Sequence, residues 1–147
     1  QDVWGEEAYL TRLLPRITKY QSTGQWKFLG NLSQEQLAAF FPNLDVLVVP
    51  SLNSTETFGL VQIEAMMNGT PSIASHLPGV RQPPLMTGMG EVVPIGDAEA
   101  LGEAIIKIFA HPEKYCGDPP AIARQFSPQA NAAAYEDLYQ ALMEELD

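Results

Sequence analysis

Two carboxylates and a glycine stand at a spacing that suits chemistry. The stretch Pro50-Ser51-Leu52-Asn53-Ser54-Thr55-Glu56-Thr57-Phe58-Gly59-Leu60-Val61-Gln62-Ile63-Glu64-Ala65-Met66 starts as a polar loop and turns into an apolar helix at Gly59. Glycine at such a junction lets the backbone come close to a ligand. The free amides of the first helical turn and the helix dipole then form an anion site. Glu64 follows Gly59 on the helix, and at ~1.5 Å rise per residue it lies roughly 7–8 Å further along. A nucleoside diphosphate has that layout, with pyrophosphate at the amides and ribose hydroxyls beside the carboxylate. Glu56 precedes the helix, on the side where a sugar beyond the pyrophosphate would sit. On the residues alone a second reading stays open. In it Glu56 is only an acidic residue favoured near a helix N-terminus, and Glu64 a solvated helix residue. The otherwise apolar helix weighs against that for Glu64, because a buried carboxylate needs a partner.

The elements that must position these residues are legible from periodicity. Tyr9, Leu10, Leu13, Leu14 and Ile17 predict a helix over 6–20, which Pro15 should kink or interrupt. Residues 26–29, bulky and bounded by Gly24 and Gly30, predict a short strand. Ser33 and Gln36 have capping-box spacing and open a helix that Pro42 ends. Residues 45–49 are an almost unbroken aliphatic run, as expected of a strand buried on both faces of a parallel sheet. A helix over 59–68, a strand over 71–75, a Pro- and Gly-rich loop over 76–90 and a strand over 91–94 follow. Asp97 is the expected N-cap of a helix whose apolar face is Leu101, Ala104, Ile105, Ile108 and Phe109. After a Pro-rich stretch over 112–120, Ser127 and Pro128 start a final helix with two apolar stripes. One stripe is Ala134, Leu138 and Leu142; the other is Tyr135 and Tyr139. Alternating helices and strands predict an α/β fold, a partial Rossmann-like parallel sheet with flanking helices. Ligands bind such sheets at the carboxyl ends of the strands, here the loops after Leu29, Val49, Ser75 and Val93.

Composition narrows the function classes. The length of 147 residues suits one domain, and 46% hydrophobic residues suffice for a core. A net charge of −10, from 18 acidic and 8 basic residues, argues against nucleic-acid binding and against docking on anionic lipid. The single cysteine, Cys116, excludes an intrachain disulfide and a multi-cysteine metal site, and fits a reducing, cytoplasmic setting. The longest apolar run, 46–50, is far too short to span a bilayer. No Ser/His/Asp set, metal-ligand spacing or phosphate-binding Walker loop is present. Arg81 and His76, in the loop after 71–75, are weaker site candidates. Ser51 and Thr55 either bond a ligand or shape their loop. Trp4 and Trp26 read as packing residues.

Glu56 and Glu64 are separated by seven residues, with Phe58-Gly59-Leu60 after the first and Ala65-Met66 after the second. This resembles the EX7E signature of the family 4 glycosyltransferases. The neighbours agree in order: Phe28-Leu29-Gly30, Leu37, Asp45-Val46-Leu47-Val48-Val49-Pro50-Ser51, Gly69-Thr70-Pro71, Pro78-Gly79-Val80, Gly96-Asp97 and Leu101. The resemblance covers essentially the whole chain. It implies the C-terminal, donor-binding half of a GT-B fold. Residues 1–147 would be a single nucleotide-sugar-binding domain, lacking its first two strands and its partner N-terminal domain. The implied reaction is transfer of a sugar, with retention, from a nucleoside-diphosphate sugar to an acceptor hydroxyl, with no cofactor and no metal. Glu56 would be the catalytic residue facing the sugar. Glu56, Thr57, Phe58, Gly59 and Leu60 would contact donor sugar and diphosphate. Glu64 would hold the ribose, and Leu29 and Gly30 would lie near the nucleobase. Any membrane contact would come from the missing half, and the segment alone should be inactive. One departure stands out: family members hold the diphosphate with an Arg and a Lys from early loops of this domain, and no such pair is recognisable here. That leaves as alternatives a non-catalytic nucleotide-sugar-binding module, or subunit completed by another chain, and a plain α/β interaction domain.

Overall fold

The computed structural model describes residues 7–145, so Trp4 lies outside the described residues. The chain divides into two compact units, residues 1–33 and 34–147. The first is built on helix α1 (Glu7–Ser22), whose buried residue is Ile17. Tyr9, Leu13 and Tyr20 of this helix line an apolar cleft of about 380 Å³ together with Trp26 and Phe28. The Trp26 and Phe28 rings meet edge to face at 5.6 Å. Helix α1 is not interrupted at Pro15, which lies inside it. Proline removes one amide donor, the partner of the Thr11 carbonyl. Both residues are exposed, so water can supply the missing bond. The strand expected over 26–29 does not form. A strand needs a neighbour, and no described residue pairs with this stretch in a ladder.

The second unit contains α2 (Gln34–Phe40), a 3-10 turn (Phe41–Asn43), β1 (Leu47–Val49), α3 (Leu60–Met67) and β2 (Ser72–Ser75). It continues with α4 (Gln82–Thr87), β3 (Gly90–Val93), α5 (Ala98–Ala110), a 3-10 turn (Pro112–Tyr115), α6 (Pro119–Gln125) and α7 (Pro128–Glu144). The strands form a parallel sheet in the order β1-β2-β3, with Leu47 opposite Ser72 and Ser72 opposite Gly90. This is the expected α/β arrangement of a parallel sheet with flanking helices. Two expected caps are in place: the Asp97 carboxylate accepts from the N–H groups of Glu99 and Ala100, and the Ser127 hydroxyl accepts from that of Ala130.

Burial does not follow hydropathy along the sheet. The aliphatic β1 is only half-buried, because it lies at an edge of this sheet. The central strand is β2, whose Ser-Ile-Ala-Ser sequence is buried at every position. Successive strand residues face opposite sides. Ile73 joins Val93, Ala104, Ile108 and Tyr115 on the α5 side. Ala74 packs with Leu77 and Val80 on the other side, and Ser72 on that same side meets α3. Beyond them Ile63 and Met66 of α3 pack with Met89 and Ile122. Met66, Ile73 and Met89 are wholly buried, each contributing about 1.5–3 kcal/mol of apolar burial. The expected loop over 76–90 contains α4, with Pro83 and Pro84 in its first turn and Gly88 ending it in a left-handed conformation. Helix α7 has no buried residue, and both of its stripes are exposed. Among the described residues no helix is long and apolar enough to cross a membrane.

An ion pair joins the sheet to α5. Lys107 Nζ lies 2.7 Å from Glu91 Oε1, and the Tyr115 hydroxyl donates to the same oxygen at 2.5 Å. Burial pushes the Glu91 carboxyl up, but hydrogen bonds from Lys107 and Tyr115 and the ammonium charge outweigh it and hold the group below its ordinary value of 4.5. A carboxyl that titrates lower in the folded than in the unfolded chain stabilises the fold above its ordinary range. That contribution disappears as pH falls through the depressed value. Glu91→Gln should therefore melt at a lower temperature than the wild type at pH 7, and the gap should close as the pH is taken below the ordinary carboxylate range. A gap that stays constant on acidification would show that the ion pair contributes nothing.

Candidate functional site

The loop after β1 enters α3 through Gly59, which sits in a left-handed conformation at φ 75°. A side chain there would be strained, and its Cβ would lie 2.7 Å from Gln62 Nε2. Gly59 closes the first turn by accepting at its carbonyl from the Gln62 N–H, at 2.9 Å. Its own N–H donates to Glu56 Oε1 at 3.0 Å. Glu56 thus reaches the mouth of the helix and places a negative charge where the first-turn amides gather. Thr57 and Leu60 are exposed beside it, and Phe58 is half-buried, its ring 6.2 Å from that of Phe126.

Glu64 stands one turn further along α3 and is half-buried. It lines a cleft of about 680 Å³ that runs from Leu60 and Met67 on α3 to Phe126, Ser127 and Asn131 on the α6–α7 side. Glu56, Thr57, Phe58, Gly59, Leu60 and Glu64 are therefore gathered on one loop and the helix it opens. Leu29 and Gly30 belong to the first unit. Thr55 bonds the Asn53 side chain through both its N–H and its hydroxyl, so it shapes the loop. Arg81 donates from Nη1 to His76 Nε2 at 3.0 Å, in the loop after β2. Arginine only donates, so the imidazole accepts. Among the described residues no three His, Cys, Asp or Glu side chains are grouped as a metal site needs.

Two residues that motif spacing does not point to hold this loop in place. Gly79 lies so close to the first loop that a Cβ there would fall 1.5 Å from the Thr57 carbonyl oxygen. Gln62, fully buried within α3, bonds the Val80 carbonyl, the Phe58 carbonyl and the Ser72 hydroxyl. Gln62 and Glu64 are the two polar residues within an otherwise apolar helix, and that was the available signal for Gln62. Gly79 was marked only as part of the Pro78-Gly79-Val80 segment of the family resemblance, and local spacing gives no sign of its contact with Thr57.

Residues 2–118 match the family profile described as glycosyl transferases group 1. The phosphatidyl-myo-inositol mannosyltransferase of Mycobacterium leprae is 37% identical over 82 residues, 56% of this chain and 22% of that protein. The D-inositol 3-phosphate glycosyltransferase of Corynebacterium glutamicum is 33% identical over 119 residues, 77% of this chain and 27% of that protein. The match spans about a quarter of the length of these relatives. Among solved structures, sucrose-phosphate synthase from Thermosynechococcus elongatus superposes with a TM-score of 0.72 at 34% identity, covering 94% of this chain and 35% of that one. Anabaena Alr3699/HepE, solved in complex with UDP-glucose, gives a TM-score of 0.74 at 23% identity, covering 93% of this chain and 38% of that one. Both have the GT-B fold, and this chain has the fold of part of it.

The contact between the two loops makes Gly79 the most constrained glycine of the site. Gly79→Ala should lower stability by about 1–3 kcal/mol in urea unfolding, because backbone has to move to admit the methyl group. Gly102 sits inside α5 with nothing within 4 Å of an added Cβ. Gly102→Ala should instead stabilise by about 0.5–1 kcal/mol. Equal effects at the two positions would refute the loop contact.

Proposed function

The chain belongs to the group 1 glycosyltransferases, and on that premise we propose that it supplies the donor site of a retaining transferase of the family 4 type. The reaction moves a sugar from a nucleoside-diphosphate sugar to an acceptor hydroxyl. In this reading the chain is the greater part of a donor domain. The domain's first two strands, the cations that grip the diphosphate and the whole acceptor-binding domain belong to a longer polypeptide. The short share of each relative that the chain matches supports this. The exposed lone Cys116 fits a reducing, cytoplasmic setting.

The observation that carries the reading is the pairing of two carboxylates with one helix mouth. Glu56 bonds the Gly59 N–H at the mouth, and Glu64 lines the adjoining cleft one turn on. The first-turn amides and the positive end of α3 receive the diphosphate, which carries the charge that grows as the bond to the anomeric carbon breaks. Glu64 takes the ribose hydroxyls as an acceptor. Glu56 faces the transferred sugar, where its charge steadies an oxocarbenium-like centre and fixes the sugar's position. No metal is required for these roles. Because Glu56 already holds the Gly59 N–H, a phosphate oxygen that takes this amide must displace the carboxylate, which swings toward the sugar.

Calorimetric titration of the chain with UDP, GDP and ADP tests the assignment. One of them should bind saturably, and Glu64→Ala should weaken it about 10- to 100-fold, the usual worth of a hydrogen bond to a charged group. Glu56→Gln should bind the same diphosphate more tightly than the wild type, because one negative charge leaves the mouth. A folded chain that binds none of the three, or a Glu64→Ala variant that binds like the wild type, would sink the reading.

A further inference from the structure

We propose that Gln62 is a positioning residue for the diphosphate, acting through the peptide that joins Phe58 to Gly59. The inference rests on the donor-site reading above and deepens it. Gln62 is wholly buried on a helix whose other inward residues are apolar. Its Nε2 donates to the Val80 carbonyl at 2.9 Å and to the Phe58 carbonyl at 3.3 Å. Its Oε1 accepts from the Ser72 hydroxyl at 2.8 Å. Both amide hydrogens are used, and a flipped amide would turn its oxygen against two carbonyls, so one orientation is selected.

The Phe58 carbonyl and the Gly59 N–H belong to one planar peptide unit. Gln62 grips the carbonyl end of that plane, and Glu56 grips the N–H end. When a phosphate oxygen replaces Glu56 at the N–H, only the Gln62 bond still fixes which way the plane faces. Gly59 resists rotation of that plane less than any other residue would. The same side chain ties down Val80, next to Gly79, whose backbone rests on the Thr57 carbonyl. Gln62 therefore aims the first amide of the anion site without touching the donor. Its loss should be felt at the phosphates and not at the ribose.

The test compares two ligands on the full chain: the nucleoside diphosphate that binds best among UDP, GDP and ADP, and its parent nucleoside. Gln62→Met keeps the length and removes the hydrogen bonds. It should weaken the diphosphate about tenfold, within the range that small misplacements of a site produce, and leave the nucleoside within about twofold. A general loosening of the fold would weaken both alike, and that outcome, or no weakening of either, overturns the proposal. Should Gln62→Met not fold, Gln62→Asn, an amide one methylene short, is read by the same ratio. Hydrogen exchange supplies a readout without any ligand. In the variant the Gly59 N–H should exchange at least about tenfold faster while Ile73 in β2 is unchanged. If the wild type binds no nucleotide but Gly59 exchange responds in this way, the donor reading fails, and with it the role toward the diphosphate, while the hold of Gln62 on the Phe58–Gly59 peptide stands. If Gly59 exchange does not respond, the positioning role itself is refuted.

Discussion

A buried primary amide holds the functional end of this fold together. Gln62 lies on α3, yet its partners are a strand residue, a loop carbonyl and a carbonyl of the turn before its own helix. A polar group taken wholly out of water is tolerable only if its donors and acceptor find partners. Here they do, and the three segments are thereby fixed relative to one another. An apolar residue of similar size would fill the same volume but leave the Phe58 and Val80 carbonyls without this donor. Apolar packing between α3 and the sheet supplies adhesion, while the amide supplies register.

The charge arrangement at the helix mouth follows from the same local geometry. An isolated helix N-terminus attracts anions, and this one already has an anion of its own in Glu56. The carboxylate satisfies an amide that would otherwise lack a partner. It also raises the local negative potential of a chain that is acidic overall. In the proposed reading, a diphosphate would meet backbone donors at the helix mouth against an unfavourable background charge. This explains why a cationic contribution from another segment belongs to the proposed function. The Arg81 guanidinium is engaged with His76.

What could be read in the sequence was local, and what could not was set by partners distant along the chain. The Glu56–Gly59–Glu64 spacing, the alternation of helix and strand, and the caps at Asp97 and Ser127 are all defined within a few residues. The parallel sheet followed from that alternation. The centre of the sheet did not, because hydropathy points to the aliphatic 45–49 while burial falls on Ser72–Ser75. Serines there are acceptable because Ser72 meets Gln62, ten residues away. The strand expected over 26–29 needs a neighbour that local sequence cannot specify. The short helix α4 was hidden by prolines that usually signal loops but are well suited to a first turn. The roles proposed for the site residues rest on the family resemblance joined to this geometry.

The crowding between Gly59 and Gln62 has a bearing on how sequences of this kind drift. A Cβ at 59 would fall against the Nε2 of residue 62, so the two positions are epistatic. A side chain at 59 would have to push the Gln62 amide from its place or come with a shorter residue at 62, and either change loosens the amide's hold on the loop. The left-handed backbone at 59 then narrows the choice of newcomers, with Asn and Asp the least strained. Lineages that abandon this glutamine are therefore expected to have changed the entrance to α3 as a unit, replacing the anchored loop with one stabilised by different contacts.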